Sequence, residues 1–247
     1  MPFMNREEHP DIATRRQKRL LLCGPPNSRK TSSIKTFRGP VAVVSYPGEN
    51  GAAAIPTQTV TGEPVKAWVW DEPDPTKPAS YETCLQEVKR LTTEILAGKH
   101  GEFRTFVGDG IHKLNKYYEK TAQTMPQFIS KDGNYDGRKG WPWVHEEFFK
   151  YLQGIIVSPI EYAVFTCWDE LEKDDPMAPD TPSQPALRHS YPALPGKAAK
   201  LVMGEMSVVY CFQEGAGGTA KYYWLTQPFN RVWGAGLKLP EDIAKRI

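Results

Sequence analysis

The segment Gly24–Thr31 has the residue types of a loop that binds phosphate groups. It reads GPPNSRKT and follows the apolar run Arg19–Cys23, which predicts a buried strand, while Thr31–Phe37 predicts a short helix. In such a strand–loop–helix unit, backbone N–H groups surround a phosphate, a lysine adds positive charge and a Ser or Thr hydroxyl reaches Mg²⁺. We expect Lys30 and Thr31 to fill the last two roles. The residues predicted to contact a bound nucleotide are Gly24, Pro25, Pro26, Asn27, Ser28, Arg29, Lys30, Thr31 and Ser32.

One position of this segment departs from the pattern GxxxxGK[ST]. Gly24, Lys30 and Thr31 match the pattern, but Arg29 stands where a second glycine is expected. A long side chain at this point either crowds the loop or adds a cation to the phosphate contacts. The sequence leaves both interpretations open, and with them the question of whether a bound nucleotide is hydrolysed rapidly.

Acidic residues that follow the predicted strands are the candidates for metal binding and catalysis. Asp109 ends the apolar segment FRTFVGD, where a carboxylate would hold Mg²⁺ beside Thr31, unless it only caps the following helix. Glu49 follows VAVVSY at the same expected sheet edge, where it would activate water, unless it is only a residue of the PGENG turn. Lys30 and Glu49 are thus the predicted catalytic residues. The rival acids after the next predicted strand are Asp71 and Glu72.

Predicted strands and helices alternate along most of the chain. This order predicts an α/β fold with a mostly parallel sheet flanked by helices. Met206–Phe212 and Lys221–Thr226 flank a glycine-containing loop and predict a C-terminal antiparallel hairpin. Further strands are predicted at Val41–Tyr46, Lys66–Trp70, Phe103–Val107 and Tyr162–Cys167, and further helices at Tyr81–Leu96 and Trp143–Tyr151.

Two long irregular stretches are predicted, Lys116–Pro142 and Asp169–Pro195. The first interleaves cations with aromatic rings. Cations follow phosphates and aromatic faces stack on unpaired bases, so this stretch predicts binding of single-stranded DNA, unless its rings only pack on their own domain. The residues predicted to contact DNA are Lys116, Lys120, Lys131, Tyr135, Arg138, Lys139 and Trp141.

The composition limits the classes of protein that remain. Lys plus Arg number 31 and Asp plus Glu number 29, so the formal charge is +2 and a nucleic-acid contact must be a local patch. The 4 cysteines lack zinc-site spacing, which indicates reduced thiols in a cytosol. No run is apolar and long enough to span a membrane, and the polar start of the chain does not resemble a secretory signal. We expect a flexible arm at residues 1–17 and a single ATP-binding domain at residues 18–247.

Four segments in this order resemble the ATP-binding core of RecA-type recombinases: GPPNSRKT, SYPGENG, FVGDGIHKL and AVFTCWDE. Within this group the chain more closely resembles the small phage-encoded RecA-like ATPases that act in single-strand annealing. In these proteins Pro-Gly-Lys precedes an amphipathic helix and two strands, as at Pro195-Gly196-Lys197 here. The resemblance covers roughly residues 18–230. It implies a RecA-like P-loop NTPase core without a separate DNA-binding domain.

The resemblance also implies site residues and partners. ATP and Mg²⁺ would bind at Lys30, Thr31 and Asp109, and Glu49 would activate the attacking water. Such proteins often carry a polar sensor of the γ-phosphate near the end of the strand that Thr166 and Trp168 close here. Implied partners are single-stranded DNA, a single-strand-binding protein and further copies of the chain, in the cytoplasm, which is the host's if the protein is phage-encoded.

Two other functions stay open at this point. A P-loop kinase for a nucleoside or small metabolite needs a lid with clustered arginines, and no such cluster is visible beyond Arg29. A nucleotide-binding assembly module that does not hydrolyse ATP is favoured by Arg29 in the loop. Phosphate release, measured with and without single-stranded DNA, separates the three functions.

Overall fold

The computed structural model describes residues 18–77, 79–173, 188–195, 197–214 and 220–225. The arm predicted at residues 1–17 lies outside the described residues. Within them, none of the helices has the length and apolar character needed to cross a membrane.

Most of the strands belong to one sheet. In chain order the strands are β1 (Lys18–Cys23), β2 (Val41–Ser45), β3 (Val65–Val69), β4 (Thr105–Asp109), β5 (Tyr162–Cys167), β6 (Asp169–Lys173), β7 (Arg188–Pro192), β8 (Ser207–Glu214) and β9 (Lys221–Leu225). The large sheet has the order β3–β2–β4–β5–β1–β8–β9, and β6 pairs with β7 separately. Within the large sheet only the β8–β9 pair is antiparallel. The predicted mostly parallel α/β fold with a C-terminal hairpin is therefore confirmed.

The two faces of the sheet are covered differently. The α-helices are α1 (Ala79–Leu96), α2 (Ile111–Ala122), α3 (Gly137–Ile156) and α4 (Ala198–Glu205), and their apolar sides share one core with Leu21, Val44 and Phe106 of the sheet. The opposite face packs against Ile34 and Phe37, which belong to or directly follow a short 3₁₀ helix, Ser32–Thr36. Burying each large apolar side chain contributes about 1.5–3 kcal/mol, so both cores hold the sheet rigid beneath the loops at its edge.

The prediction that Lys116–Pro142 is irregular was wrong at both ends. Helix α2 continues to Ala122 because Leu114, Tyr118 and Ala122 carry its apolar stripe onward, and α3 already begins at Gly137. The carboxylate of Asp136 caps α3 by accepting a hydrogen bond from the Arg138 N–H. Residues with low helix propensity are therefore accommodated in the first turns of α3, including a proline at position 142.

The prediction that Asp169–Pro195 is irregular was also wrong at its ends. Strands β6 and β7 form an antiparallel ladder with Asp169 opposite Pro192 and Lys173 opposite Arg188. Charged residues are depleted in strands, so the sequence DELEK gave little indication of a strand. Residues 174–187, between the two strands, lie outside the described part of the chain.

Candidate functional site

Polar side chains from three chain segments meet at the carboxyl edge of the sheet. β5 lies between β1, which leads into the Gly24–Thr31 loop, and β4, which ends at Asp109. The Thr31 hydroxyl donates to the Asp109 carboxylate at 3.1 Å, and the Thr166 hydroxyl donates to it at 2.6 Å. The Thr166 oxygen also accepts the Gly110 N–H at 2.8 Å. The strand order thus joins Thr31, Asp109 and Thr166 into one network, as the predicted metal site requires.

Asp109 has the features of a carboxylate that receives a cation. Its side chain is fully buried, and burial raises its pKa, while hydrogen bonds from Thr166 and Thr31 and the charge of Lys30 act in the opposite direction. A buried carboxylate needs a compensating partner, and hydroxyl and carboxylate oxygens are ligands that Mg²⁺ prefers. The neighbouring Ser45, paired with Asp109 in the β2–β4 register, has a buried hydroxyl oxygen without a hydrogen-bond partner among the described residues. The donor set therefore fits Mg²⁺.

Lys30 lies inside the phosphate loop. Its ammonium group donates to the carbonyl oxygens of Gly24 and Pro25, each at 2.8 Å, and to the Ser28 hydroxyl at 3.2 Å. Only 7% of the residue is exposed, and burial lowers its pKa. Its hydrogen-bond partners in the loop are uncharged, so its positive charge can bind a phosphate oxygen in the loop.

Two residues of the loop other than glycine have a left-handed backbone conformation, which L-residues seldom adopt. Asn27 has φ 66° and Arg29 has φ 60°, in the left-handed region where glycine is favoured. The Arg29 guanidinium lies 4.2 Å from the centroid of the Tyr222 ring in β9, so the C-terminal hairpin holds this side chain by a cation–π contact. Gly24 is required for a different reason: a Cβ there would lie 2.0 Å from the carbonyl oxygen of Cys211 in β8.

Glu49 lies close to the network and carries a perturbed carboxyl group. Burial and the charge of Asp109 raise its pKa to about 7, although Lys113, Lys30 and a hydrogen bond from the Trp168 side chain lower it. A Cβ on Gly110 would lie 2.6 Å from the Glu49 Oε2 atom, so a side chain there would displace this carboxyl group, and the φ of 87° at Gly110 also favours glycine. A carboxylate with a pKa near neutral pH is suited to accept a proton from water.

His112 is a neighbour of Glu49 that the sequence interpretation missed. Its Nδ1 atom accepts the Trp168 backbone N–H at 3.4 Å, so the neutral ring carries its proton on Nε2, which lies 3.6 Å from the Glu49 Oε2 atom. Burial and the charges of nearby lysines lower the pKa of His112 to about 3, so this contact is not an ion pair at neutral pH. The ring stacks on Trp168 with centroids 4.6 Å apart. The position of His112 in the first turn of α2, three residues after Asp109, is the only signal that the sequence offered.

The rival acids lie further out. Asp71 and Glu72 are both exposed, whereas the Glu49 side chain is 12% exposed. The Glu72 carboxylate faces Gly48, since a Cβ on that glycine would lie 3.4 Å from its Oε1 atom. Glu49 is therefore the most buried acid of the three, and it lies close enough to Asp109 for that charge to contribute to its raised pKa.

The residues predicted to contact DNA fall into two groups instead of one loop. Lys116 and Lys120 lie on α2, while the others lie in the turn after it or at the start of α3. Lys131 and Arg138 are exposed, and the Lys139 ammonium group lies 3.5 Å from the Asp136 carboxylate. Tyr135 and Trp141 are half-buried and pack against the helical core, which leaves only part of each ring open to a base.

A model of the AAA domain family matches residues 16–232, which include the phosphate loop, Glu49, Asp109 and Thr166. A search of curated proteins found no match.

Proposed function

The chain belongs to the AAA domain family and is a nucleotide-binding P-loop ATPase domain. From this premise we propose that it is an Mg²⁺-dependent, RecA-like ATPase. We propose further that it binds single-stranded DNA in recombination or strand annealing. The observation that carries the ATPase part is the network of Thr31, Asp109 and Thr166 beside Lys30, with Glu49 at its rim. The DNA-binding part rests on the resemblance and on cations near that rim.

The loop residues bind and position the phosphates. Lys30 exchanges its contacts with the Gly24 and Pro25 carbonyl oxygens for phosphate oxygens, a stronger charge-assisted partner. Thr31 and Asp109 are the residues that would hold Mg²⁺, which when bound neutralises charge on the phosphates. Thr166, through its bond to Asp109, fixes that carboxylate relative to the loop.

Glu49 acts on the water that attacks the terminal phosphate. Its carboxylate accepts the proton as the water attacks, and its pKa of about 7 matches that task near neutral pH. The Nε2–H of His112 lies 3.6 Å from the Glu49 carboxyl group, and the His112 ring is itself held by stacking on Trp168. The Glu49 site is largely buried, so bulk water does not compete freely for the same oxygen atoms.

One observation favours a second function, a nucleotide-binding module without rapid turnover. Arg29 takes a left-handed backbone conformation and contacts Tyr222, so the loop keeps its shape with an arginine where glycine is usual. A loop held in this way binds a nucleotide for assembly even if the attack on the phosphate is slow.

Phosphate release from ATP tests these functions directly. We expect Mg²⁺-dependent release by the unaltered chain, stimulation by an oligo-dT strand, and loss of release in Asp109→Asn. The matched control is Asp132→Asn, which changes an exposed carboxylate in the turn before α3. Nucleotide binding without release supports the module, and release that an oligonucleotide leaves unchanged contradicts the DNA-coupled function.

A further inference from the structure

A pocket outside the phosphate-loop site lies between α2, the N-terminal part of α1 and the segment after β3. Its volume is about 410 Å³, within the range of small-ligand sites. Lys113, Lys116 and Lys120 line it from one side of α2, because residues three and four apart share a helix face. We call this cavity the lysine pocket. Its other lining residues are Glu72, Pro75, Tyr81, Tyr117, Gln123 and Thr124.

The charges of the lysine pocket are available to a ligand. Among the described residues, no carboxylate lies within ion-pair distance of Lys113, Lys116 or Lys120, and Lys120 reaches only the Gln123 amide oxygen at 3.5 Å. Glu72 is the one acid on the lining, against three lysines. The pocket therefore carries net positive charge and favours an anionic group.

The pocket also offers aromatic surface. The rings of Tyr81 and Tyr117 lie 5.4 Å apart between centroids with 33° between their planes. Tyr117 is only 4% exposed, so the half-buried Tyr81 is the ring on which a nucleic-acid base would stack. Cations beside aromatic rings in a pocket of this size match the two halves of a nucleotide, its phosphate and its base.

We propose that the lysine pocket binds one nucleotide unit, with its phosphate against Lys116 and Lys120 and its base against Tyr81, and that occupation of the pocket is coupled to the ATP site through Lys113. The preferred source of this unit is a single strand, a choice that rests on the proposed function. A free mononucleotide offers the same chemistry and is distinguished by experiment.

Two contacts connect the pocket to Glu49. The Lys113 ammonium group lies 5.1 Å from the ring centroid of Trp168. Trp168 stacks on His112, whose Nε2 atom lies 3.6 Å from the Glu49 Oε2 atom. Tyr117, which lines the pocket, closely approaches the Glu49 loop, because a Cβ on Gly48 would lie 2.7 Å from its hydroxyl oxygen. A phosphate in the pocket attracts Lys113 away from the Trp168 ring. The surroundings of Glu49 then differ between the empty and the occupied pocket.

Binding to the pocket is tested with fluorescein-labelled oligo-dT and with thymidine monophosphate as competitor. The double variant Lys116→Ala, Lys120→Ala is compared with Lys77→Ala, Lys99→Ala, which removes two exposed lysines outside the pocket lining. We expect about tenfold weaker oligonucleotide binding by the pocket variant only, as for the loss of one good charged contact.

Coupling is tested by tryptophan fluorescence and ATP affinity in Lys113→Ala. In the parent chain the oligonucleotide should change the fluorescence emission of Trp168 and the affinity for a non-hydrolysable ATP analogue. The emission of Trp168 is identified as the signal that is lost in Trp168→Phe. Because coupling is reciprocal, the analogue should change oligonucleotide affinity by the same factor. In Lys113→Ala this factor should approach one. An unchanged factor overturns the route through Lys113.

The outcomes separate this proposal from the function on which it rests. Equal oligonucleotide affinity of the pocket variant and its lysine control overturns the pocket while single-strand binding stands. Thymidine monophosphate that binds through Lys116 and Lys120, without oligonucleotide binding, supports the pocket and overturns the single-strand function. Absence of binding of either probe to the parent chain overturns both.

Discussion

Lys30 keeps its ammonium group almost out of water, and its hydrogen-bond partners among the described residues are neutral oxygens. The carbonyl oxygens of Gly24 and Pro25 and the Ser28 hydroxyl hold it, but none of them carries a charge that offsets its burial. The lowered pKa of Lys30 reports the same imbalance. A phosphate in the loop supplies the missing opposite charge, so part of the binding energy for a nucleotide is the relief of this desolvation.

Removal of the Lys30 ammonium group should strongly weaken ATP binding. We expect Lys30→Ala to weaken the affinity for a fluorescent ATP analogue by about 100-fold, near the upper end for a hydrogen bond to a charged group. Lys35→Ala is the matched control, because Lys35 is exposed in the 3₁₀ helix that follows the loop. Binding that stays the same in Lys30→Ala would contradict the assignment of the phosphate loop.

Glu49 should make ATP turnover depend on pH near neutrality. A base acts in its deprotonated form, and burial raises the pKa of Glu49 to about 7, so the active carboxylate dominates only above that pH. We expect kcat/KM for ATP to rise between about pH 6 and pH 8 and to fall about tenfold per pH unit below the pKa. The measurement is phosphate release across that range.

Glu49→Gln is the control for this pH profile. This substitution keeps the shape of the side chain, but the amide cannot accept the proton. The variant should therefore hydrolyse ATP slowly, and its kcat/KM should not change around pH 7. Phosphate groups themselves titrate at about pH 6, and any rate change caused by titration of ATP would appear in both proteins. If Glu49→Gln keeps full turnover and the same rise of kcat/KM with pH, the base is another acid, and Asp71 and Glu72 are the first to test.

The β8–β9 hairpin does more than extend the sheet, because it contacts the phosphate loop at two places. Gly24 packs against the Cys211 carbonyl in β8, and the Arg29 guanidinium lies over the Tyr222 ring in β9. The left-handed backbone of Arg29 is unfavourable by about 1–2 kcal/mol. Its cation–π contact at an exposed site stabilises the fold by about 0.5–1 kcal/mol.

Substitutions at Arg29 should separate these two contributions. Arg29→Ala loses the ring contact and keeps the left-handed backbone, whereas Arg29→Gly loses the contact and relieves the backbone. We therefore expect Arg29→Gly to be more stable than Arg29→Ala by about 1 kcal/mol in chemical denaturation, the reverse of the usual order for these two residues. A double-mutant cycle of Arg29→Ala with Tyr222→Leu should give a coupling of about 0.5–1 kcal/mol. Absence of coupling would mean that the hairpin does not hold the loop through this pair.

The sequence predicted the elements whose signals are local and missed those that depend on distant partners. Apolar runs located β1, β2 and β5, and the spacing of Leu85, Val88 and Ile95 located α1. The start of α3 was missed because its glycines and proline oppose helix formation until the Asp136 cap and the packing of Val144 and Phe148 are formed.

The same distinction separates the site residues. Lys30, Thr31 and Asp109 follow strands in recognisable segments, so their approach to one another could be predicted. His112 and Tyr222 reach the site only through strand order and helix packing, which no local pattern specifies. Ser45 was missed for a similar reason, since its position beside Asp109 follows from the β2–β4 register.

The molecule as a whole is nearly neutral, with a formal charge of +2, so its field does not attract polyanions from a distance. Its cations matter where several of them lie close together. One gathering is the lysine pocket on α2, and another is the exposed surface formed by Lys131, Arg138 and Lys139 around the start of α3. Lys139 is partly neutralised by Asp136, which leaves Lys131 and Arg138 as the stronger candidates on that surface.

Local contacts of this kind predict modest and salt-dependent binding of single strands. Each phosphate contact that is lost should reduce the magnitude of the slope of log affinity against log salt by about 0.7. The triple variant Lys131→Ala, Arg138→Ala, Lys139→Ala should therefore lower the magnitude of this slope by up to about 2 and weaken binding to all sequences alike.

Tyr135→Ala or Trp141→Ala should weaken binding with little change in the salt slope, since stacking is not ionic. Both rings are half-buried, so part of each effect is lost packing. Fluorescence titrations with labelled oligonucleotides at several salt concentrations measure both quantities, with Lys77→Ala, Lys99→Ala as the control for lost charge. If the triple variant and this control share one slope and one affinity, the strand does not contact the surface at the start of α3, and its phosphates are held elsewhere.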